Sequence, residues 1–232
     1  GPYRFLGRDV LAIGDAPTDI TSHSVATSHF YDIFRYQILD TNSYIEEIWA
    51  YGYWAIDRCA RIIKEGASFK EVTKGDLAEV EGCIAQAYAI KALCSFYLTN
   101  MFGLPYSEAN KTTLGIVNVT EPVPAYSQVS RVSVEQNYSL ILDDITKAKE
   151  YYAKEGVENV GKQYMNTAAV AALEARVKLY MKNYEGAITA AQEAITLSGG
   201  TIVSTKEDYK NMYTTLAVST EDIFFIFERS EE

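Results

Sequence analysis

Residues 167–200 read TAAVAALEARVKLYMKNYEGAITAAQEAITLSGG, with Asn166 just ahead of them. This stretch limits the fold more than any other. Ala168, Ala172, Ala175 and Leu179 recur at helical spacing, and the pattern breaks at Lys182-Asn183. A second helix then carries Ala187, Ala191, Ala194 and Ile195 on one face. Small side chains at those steps let two helices approach closely and pack antiparallel, with Leu173, Val177 and Tyr180 supplying bulk. Ala175 and Ala187 are expected to be buried at the crossing.

The run Asn183-Tyr184-Glu185-Gly186-Ala187-Ile188, followed by Ala191 and Ala194, matches the second half of a tetratricopeptide repeat. One such hairpin cannot bury its apolar face alone, so further helices should flank it. The spacing supplies them. Ser43-x-x-Glu46 has the form of a capping box, and Ile45, Ile48, Gly52, Ile56, Cys59 and Ile63 then mark an apolar stripe, widened by Trp49. Gly66 stands where a helix end favours a left-handed residue. Asp76-x-x-Glu79 opens a second long helix with Leu77, Val80, Ile84, Ala87, Lys91, Cys94, Leu98 and Met101 along one stripe, Lys91 alone off-pattern. Pro105 prevents its continuation. Ser133-x-x-Gln136 caps a third helix with Val134, Tyr138, Ile141, Ile145 and Ala148 inward.

The spacing therefore predicts helices over 43–66, 76–102, 133–153, 167–182 and 184–198. The fold class is mainly α: antiparallel helix pairs of tetratricopeptide type (43–66 with 76–102, 133–153 with 167–198) forming an α-α superhelix. Residues 104–132, with Gly115, Pro122 and Pro124, form a long connection of the kind that is usually functional. Lys206 to Tyr213 has room for one or two helical turns, and Glu221 to Glu228, dense in Ile and Phe, reads as one terminal strand.

Residues 1–43 are the least regular. Val10 to Ile13 ends in the turn-rich Gly14-Asp15-Ala16-Pro17-Thr18-Asp19, and Phe30, Phe34 and Ile38 can share one face of a short helix. Asp15 and Asp19, four apart, have the spacing of a metal or acid–base pair, but no His or further acid completes a set, and turn formation accounts for both. His23 and His29 are the only imidazoles. No nucleophile elbow, phosphate loop or metal spacing surrounds them, so neither catalysis nor a cofactor or metal is expected.

A net charge of −10 repels phosphate backbones and anionic headgroups, which argues against nucleic acid and membrane surfaces as partners. No stretch of about 20 apolar residues is present to span a bilayer as a helix. Cys59, Cys83 and Cys94 each fall in an amphipathic helix and read as small buried thiols. Cys83 and Cys94 are eleven residues apart on one helix, roughly 16 Å, which is too far for a disulfide. Tyrosine is the compositional outlier, 18 against 9 Phe and 2 Trp, and serves helix packing or a flat surface for sugars.

Taken in order, these stretches resemble the tetratricopeptide-containing part of the SusD/RagB family. Trp49 to Ile63, WAYGYWAIDRCARII, is similar to the family's Trp-rich first repeat helix, although Asp57 and Cys59 stand where Asn is common. Gly82 to Pro105, GCIAQAYAIKALCSFYLTNMFGLP, resembles a family helix but departs at its acidic and arginine positions, near Ile84, Gln86 and Lys91. Pro122-Val123-Pro124 through Arg131-Val132-Ser133-Val134-Glu135, with YSLILDDITKA at 138–148, matches closely. The hairpin at 166–197 and Glu221-Asp222-Ile223-Phe224 complete the series.

The resemblance implies a glycan- or nutrient-binding, non-catalytic lipoprotein of the bacterial outer-membrane surface. It would cap a SusC-like TonB-dependent transporter and reach the membrane only through a lipid anchor upstream of this chain. Residues 1–232 would be the family's N-terminal, repeat-containing region, with the lipidated cysteine, the first helix and a C-terminal subdomain lying outside it. The alternative is a generic tetratricopeptide scaffold for protein–protein interaction, which leaves the 104–132 connection and the first 43 residues unexplained. Repeat helices committed to packing leave the N-terminal region for recognition. There Asp15, Asp19, Arg35, Tyr36 and Asn42 offer the aromatic face and planar polar groups that sugar binding needs.

Overall fold

The computed structural model describes residues 4–24, 28–69, 77–214 and 219–225. These fall into two compact units, one up to Ala55 and one from Ile56 onward. The helices are α1 (Asp9–Asp15), α2 (Tyr31–Phe34), α3 (Ser43–Phe69), α4 (Leu77–Phe102), α5 (Val134–Tyr152), α6 (Thr167–Tyr180), α7 (Tyr184–Ser198) and α8 (Lys206–Thr214). All five long helices expected from the spacing form, within a few residues at each end.

Their ends follow from the sequence. Ser133 and Gln136 make a reciprocal capping box at α5, Asn166 accepts from the Ala169 N–H at α6, and Asn183 accepts from the Gly186 N–H at α7. At α3 the cap is one residue earlier than the Ser43-x-x-Glu46 pattern suggests. Asn42 Oδ1 accepts from the Tyr44 and Ile45 N–H groups at 3.1 and 3.3 Å. Asp76 lies outside the described residues. Gly66 does not end α3, which runs on to Phe69. A Cβ there would sit 2.8 Å from Ile84 Cγ1, so this glycine is kept for a close approach to α4.

In the second unit α4 is the central helix, buried along most of its length and around most of its circumference. It packs against α5, while α6 packs against α7, α5 and α4. Pairs such as Gln86–Tyr152 and Asn100–Tyr138 run in opposite senses along α4 and α5, so the two are antiparallel. The pairing of α4 with α5 differs from the expected grouping because the 104–132 connection doubles back instead of separating them. Arg131 donates to the carbonyls of Phe102, Gly115 and Leu114, and Asn137 exchanges two hydrogen bonds with the Ile116 backbone at 2.8 and 3.1 Å. A side chain at Gly115 would fall 1.8 Å from Asn137 Oδ1, so the backbone must pass there bare. The isolated antiparallel bridge Leu114–Ser133 closes the fold-back.

The α6–α7 hairpin buries a face turned slightly from the one expected. Ala168, Ala169, Ala171, Leu173 and Val177 are inside on α6, and Ala187, Ala190 and Ala194 on α7. Ala175 is only half-buried, and Leu179, Tyr180 and Ile195 face solvent. On α7 it is Ala190 rather than Ala191 that is buried with Ala187 and Ala194.

Cys59 and Cys94 are buried, but Cys83 is exposed, because it points away from the stripe that Ile84 and Ala87 bury. Burial pushes the Cys59 thiol up to about 11 and raises that of Cys94 as well. The terminal strand does not form over 221–225, and 226–228 lie outside the described residues. The backbone there is satisfied by turns and by docking. Phe225 N–H donates to the Lys162 carbonyl at 3.1 Å, and Glu221 accepts from the Val203 N–H at 2.7 Å. No described helix is long and apolar enough to cross a membrane.

Candidate functional site

The first unit is built from short pieces tied by hydroxyls. Thr18 Oγ1 donates to the Asp15 carbonyl at 2.6 Å, and Thr21 Oγ1 reaches the Ala16 carbonyl at 3.1 Å, folding the turn after α1. Ile33 is fully buried and anchors α2, while Ile38 is exposed and lies beyond that helix. Phe30 stacks on Tyr44 at 4.2 Å between ring centroids, with the Arg8 guanidinium 5.4 Å from its ring.

These pieces form an open, shallow pocket of about 230 Å³ lined by Asp15, Thr21, Ser22, His23, His29, Phe30 and Phe34, together with two alanines. His23 Nε2 lies 3.1 Å from the His29 carbonyl. His29 Nδ1 lies 2.8 Å from the Tyr44 hydroxyl. The His23 ring is 4.9 Å from Tyr31 and 5.7 Å from Phe34. Aromatic rings, hydroxyls and one carboxylate thus line a single open pocket.

The residues expected from sequence divide unequally around it. The exposed Asp15 lines the pocket. Arg35 stands beside it through Tyr31, donating to that hydroxyl at 3.0 Å. Tyr36 is 75% exposed and in the left-handed region at φ 56°, its hydroxyl donating to the Pro17 carbonyl two residues beyond Asp15. Asp19 is exposed and does not line the pocket. Asn42 has its carbonyl committed to capping α3. The pocket adds His23, His29, Phe30 and Phe34. Their signal in the sequence is the i, i+4 pair of phenylalanines and two histidines six apart, a pattern too common to single out a site. Among the described residues no group of three His, Cys, Asp or Glu is placed to hold a metal ion.

Comparison with known proteins places this geometry in a family. Residues 8–179 match the model of the SusD-like family described as starch-binding and associating with the outer membrane. No curated protein matches the sequence. A SusD superfamily protein of Bacteroides thetaiotaomicron superposes with a TM-score of 0.83 at 24% identity, over 97% of this chain and 49% of that one. A SusD-like carbohydrate binding protein of Bacteroides vulgatus gives 0.79 at 16%, over 94% and 44%. A laminarin binding SusD-like protein gives 0.58 at 19%, over 79% and 37%. The chain spans about half the length of the first of these solved relatives. With its family model covering 8–179 and its repeat helices superposing on these relatives, the chain belongs to the SusD-like family.

Proposed function

We propose that the protein is a non-catalytic, lipid-anchored receptor for glycans at the bacterial outer-membrane surface, working with a SusC-like TonB-dependent transporter in polysaccharide uptake. The observation that carries this reading is the family match over 8–179, whose description names both starch binding and the outer membrane. The laminarin-binding relative shares the fold and lends the same direction to the ligand class. The ligand surface in this reading is the first unit, with Asp15, Arg35 and Tyr36 around the pocket, and with Asp19 and Asn42 in supporting positions on the same irregular segment. Exposed aromatic rings meet the apolar face of a pyranose, and guanidinium and carboxylate groups bond its hydroxyls.

Isothermal titration of the full-length protein against starch, laminarin and a panel of other polysaccharides tests the ligand class. Co-purification with a transporter encoded beside it tests the partner. A generic repeat scaffold would bind none of the panel, and no transporter gene would adjoin its own.

A further inference from the structure

Four described residues other than glycine adopt left-handed backbone conformations: Phe30, Tyr36, Tyr126 and Lys182. Such a conformation crowds Cβ against the backbone and persists where something else compensates. Three of the four have that compensation. Phe30 is held between Tyr44 and Arg8. Tyr36 bonds the Pro17 carbonyl. Lys182 is the first residue past the α6 cap, where its N–H and that of Asn183 satisfy the Leu179 and Lys178 carbonyls.

Tyr126 has none. It is the third residue of the turn Pro124–Ser127, closed by the Ser127 N–H to the Pro124 carbonyl at 3.2 Å, with φ 64°. Glycine is the residue that position favours. Its side chain is 105% exposed, and no hydrogen bond, ion pair or ring contact ties it to another described residue. A large amphipathic ring is therefore displayed at a steric cost that nothing described within the fold repays. The turn sits on a rigid base, because Arg131 and Asn137 pin the connection on either side of it.

We propose that Tyr126 and its turn form a second contact for a neutral polysaccharide, an inference that rests on the glycan reading above. The flanking sequence decides the ligand's charge. From Pro122 to Ser130, PVPAYSQVS, there is no ionisable group other than the tyrosine hydroxyl, in a chain that is 22% charged. Arg131, the cation that borders this run, is committed to the carbonyls of Phe102, Gly115 and Leu114, and the net charge of −10 repels sulfate and uronate alike. Ser127, Gln128 and Ser130 are exposed beside the ring and offer hydroxyl and amide groups to sugar hydroxyls. Tyrosine supplies a flat contact at small cost in side-chain freedom.

The test uses full-length wild type, Tyr126→Gly and Tyr126→Phe, with laminarin and soluble starch as probes, measuring affinity and the unfolding midpoint. Tyr126→Gly should raise the midpoint while weakening binding by about fivefold, and Tyr126→Phe should keep most of the affinity. A lowered midpoint in Tyr126→Gly would make the tyrosine a structural residue and overturn the proposal. Unchanged affinity would also overturn it and leave the ring to a protein partner. A wild type that binds neither these probes nor any other polysaccharide of the panel would sink the glycan reading itself, and this proposal with it.

Discussion

Lys91 Nζ and Asp144 Oδ1 lie 3.0 Å apart between α4 and α5, each side chain only 4% exposed. The ammonium also donates to the Val119 carbonyl at 3.1 Å, so one cation ties both helices to the 104–132 connection. Asp144 Oδ2 finds no hydrogen-bond partner among the described residues. Burial raises the Asp144 carboxyl to about 6, and Lys91 only partly offsets it. The pair therefore contributes register more than net stability. Replacing Lys91 with Met should cost about 3–5 kcal/mol at neutral pH, because a carboxylate is left buried without its cation. The double replacement Lys91→Met with Asp144→Leu should recover most of that loss. Urea unfolding of the three proteins measures both.

The same pair gives a pH dependence with a defined sign. Between the ordinary value of 3.8 and about 6 the folded protein holds a proton on Asp144 that the unfolded chain does not. The contribution of this carboxyl to stability is thus present at low pH and lost as pH rises through about 6. Removing Lys91 takes away the groups that lower the folded value, so it moves higher still. The deficit of Lys91→Met relative to wild type should shrink when urea unfolding is moved from pH 7.5 to pH 5. A deficit that stays level between pH 7.5 and pH 5 would put the folded carboxyl below that range in both proteins and mean that the ion pair outweighs its desolvation.

The thiols should separate into two classes. Cys83 is exposed, whereas Cys59 and Cys94 are buried with raised values. One equivalent of a thiol reagent should react quickly under native conditions, with the other two appearing only on unfolding. Mass spectrometry should place the fast label on Cys83. A fast label on Cys94 would contradict the packing of α4.

These results show what the sequence made legible. The long helices were readable because each carries its own stripe of apolar residues, and the stripe Ile45 to Ile63 is buried at Ile48, Gly52, Ile56 and Cys59. Lys91 looked anomalous because its partner lies on another helix, 53 residues away, and no local pattern announces such a pair. The pocket around His23 was hidden for a related reason. It depends on hydroxyl–carbonyl bonds and left-handed residues, which satisfy the backbone without periodicity. Asn42 was ambiguous in sequence because an amide that caps a helix and one that binds a sugar are the same residue type.

Ala187 tests the hairpin. It is buried on α7 where that helix meets α6, along with Ala190 and Ala194. Ala187→Leu should overpack the crossing at a cost of about 1–3 kcal/mol by chemical denaturation. A variant as stable as the parent would mean that the two helices are not closely apposed there.

The central claim is that the first unit presents a glycan surface with Tyr36 at its edge. Its most direct test is titration of the full-length protein and of Tyr36→Ala with the polysaccharide that the wild type binds, with melting temperatures recorded alongside. Tyr36 is 75% exposed and its side chain makes one hydrogen bond, to Pro17, so its loss should lower the melting temperature slightly without unfolding the protein. The account predicts that binding falls by at least tenfold in Tyr36→Ala while the fold is retained. Equal affinity in the two proteins would contradict it.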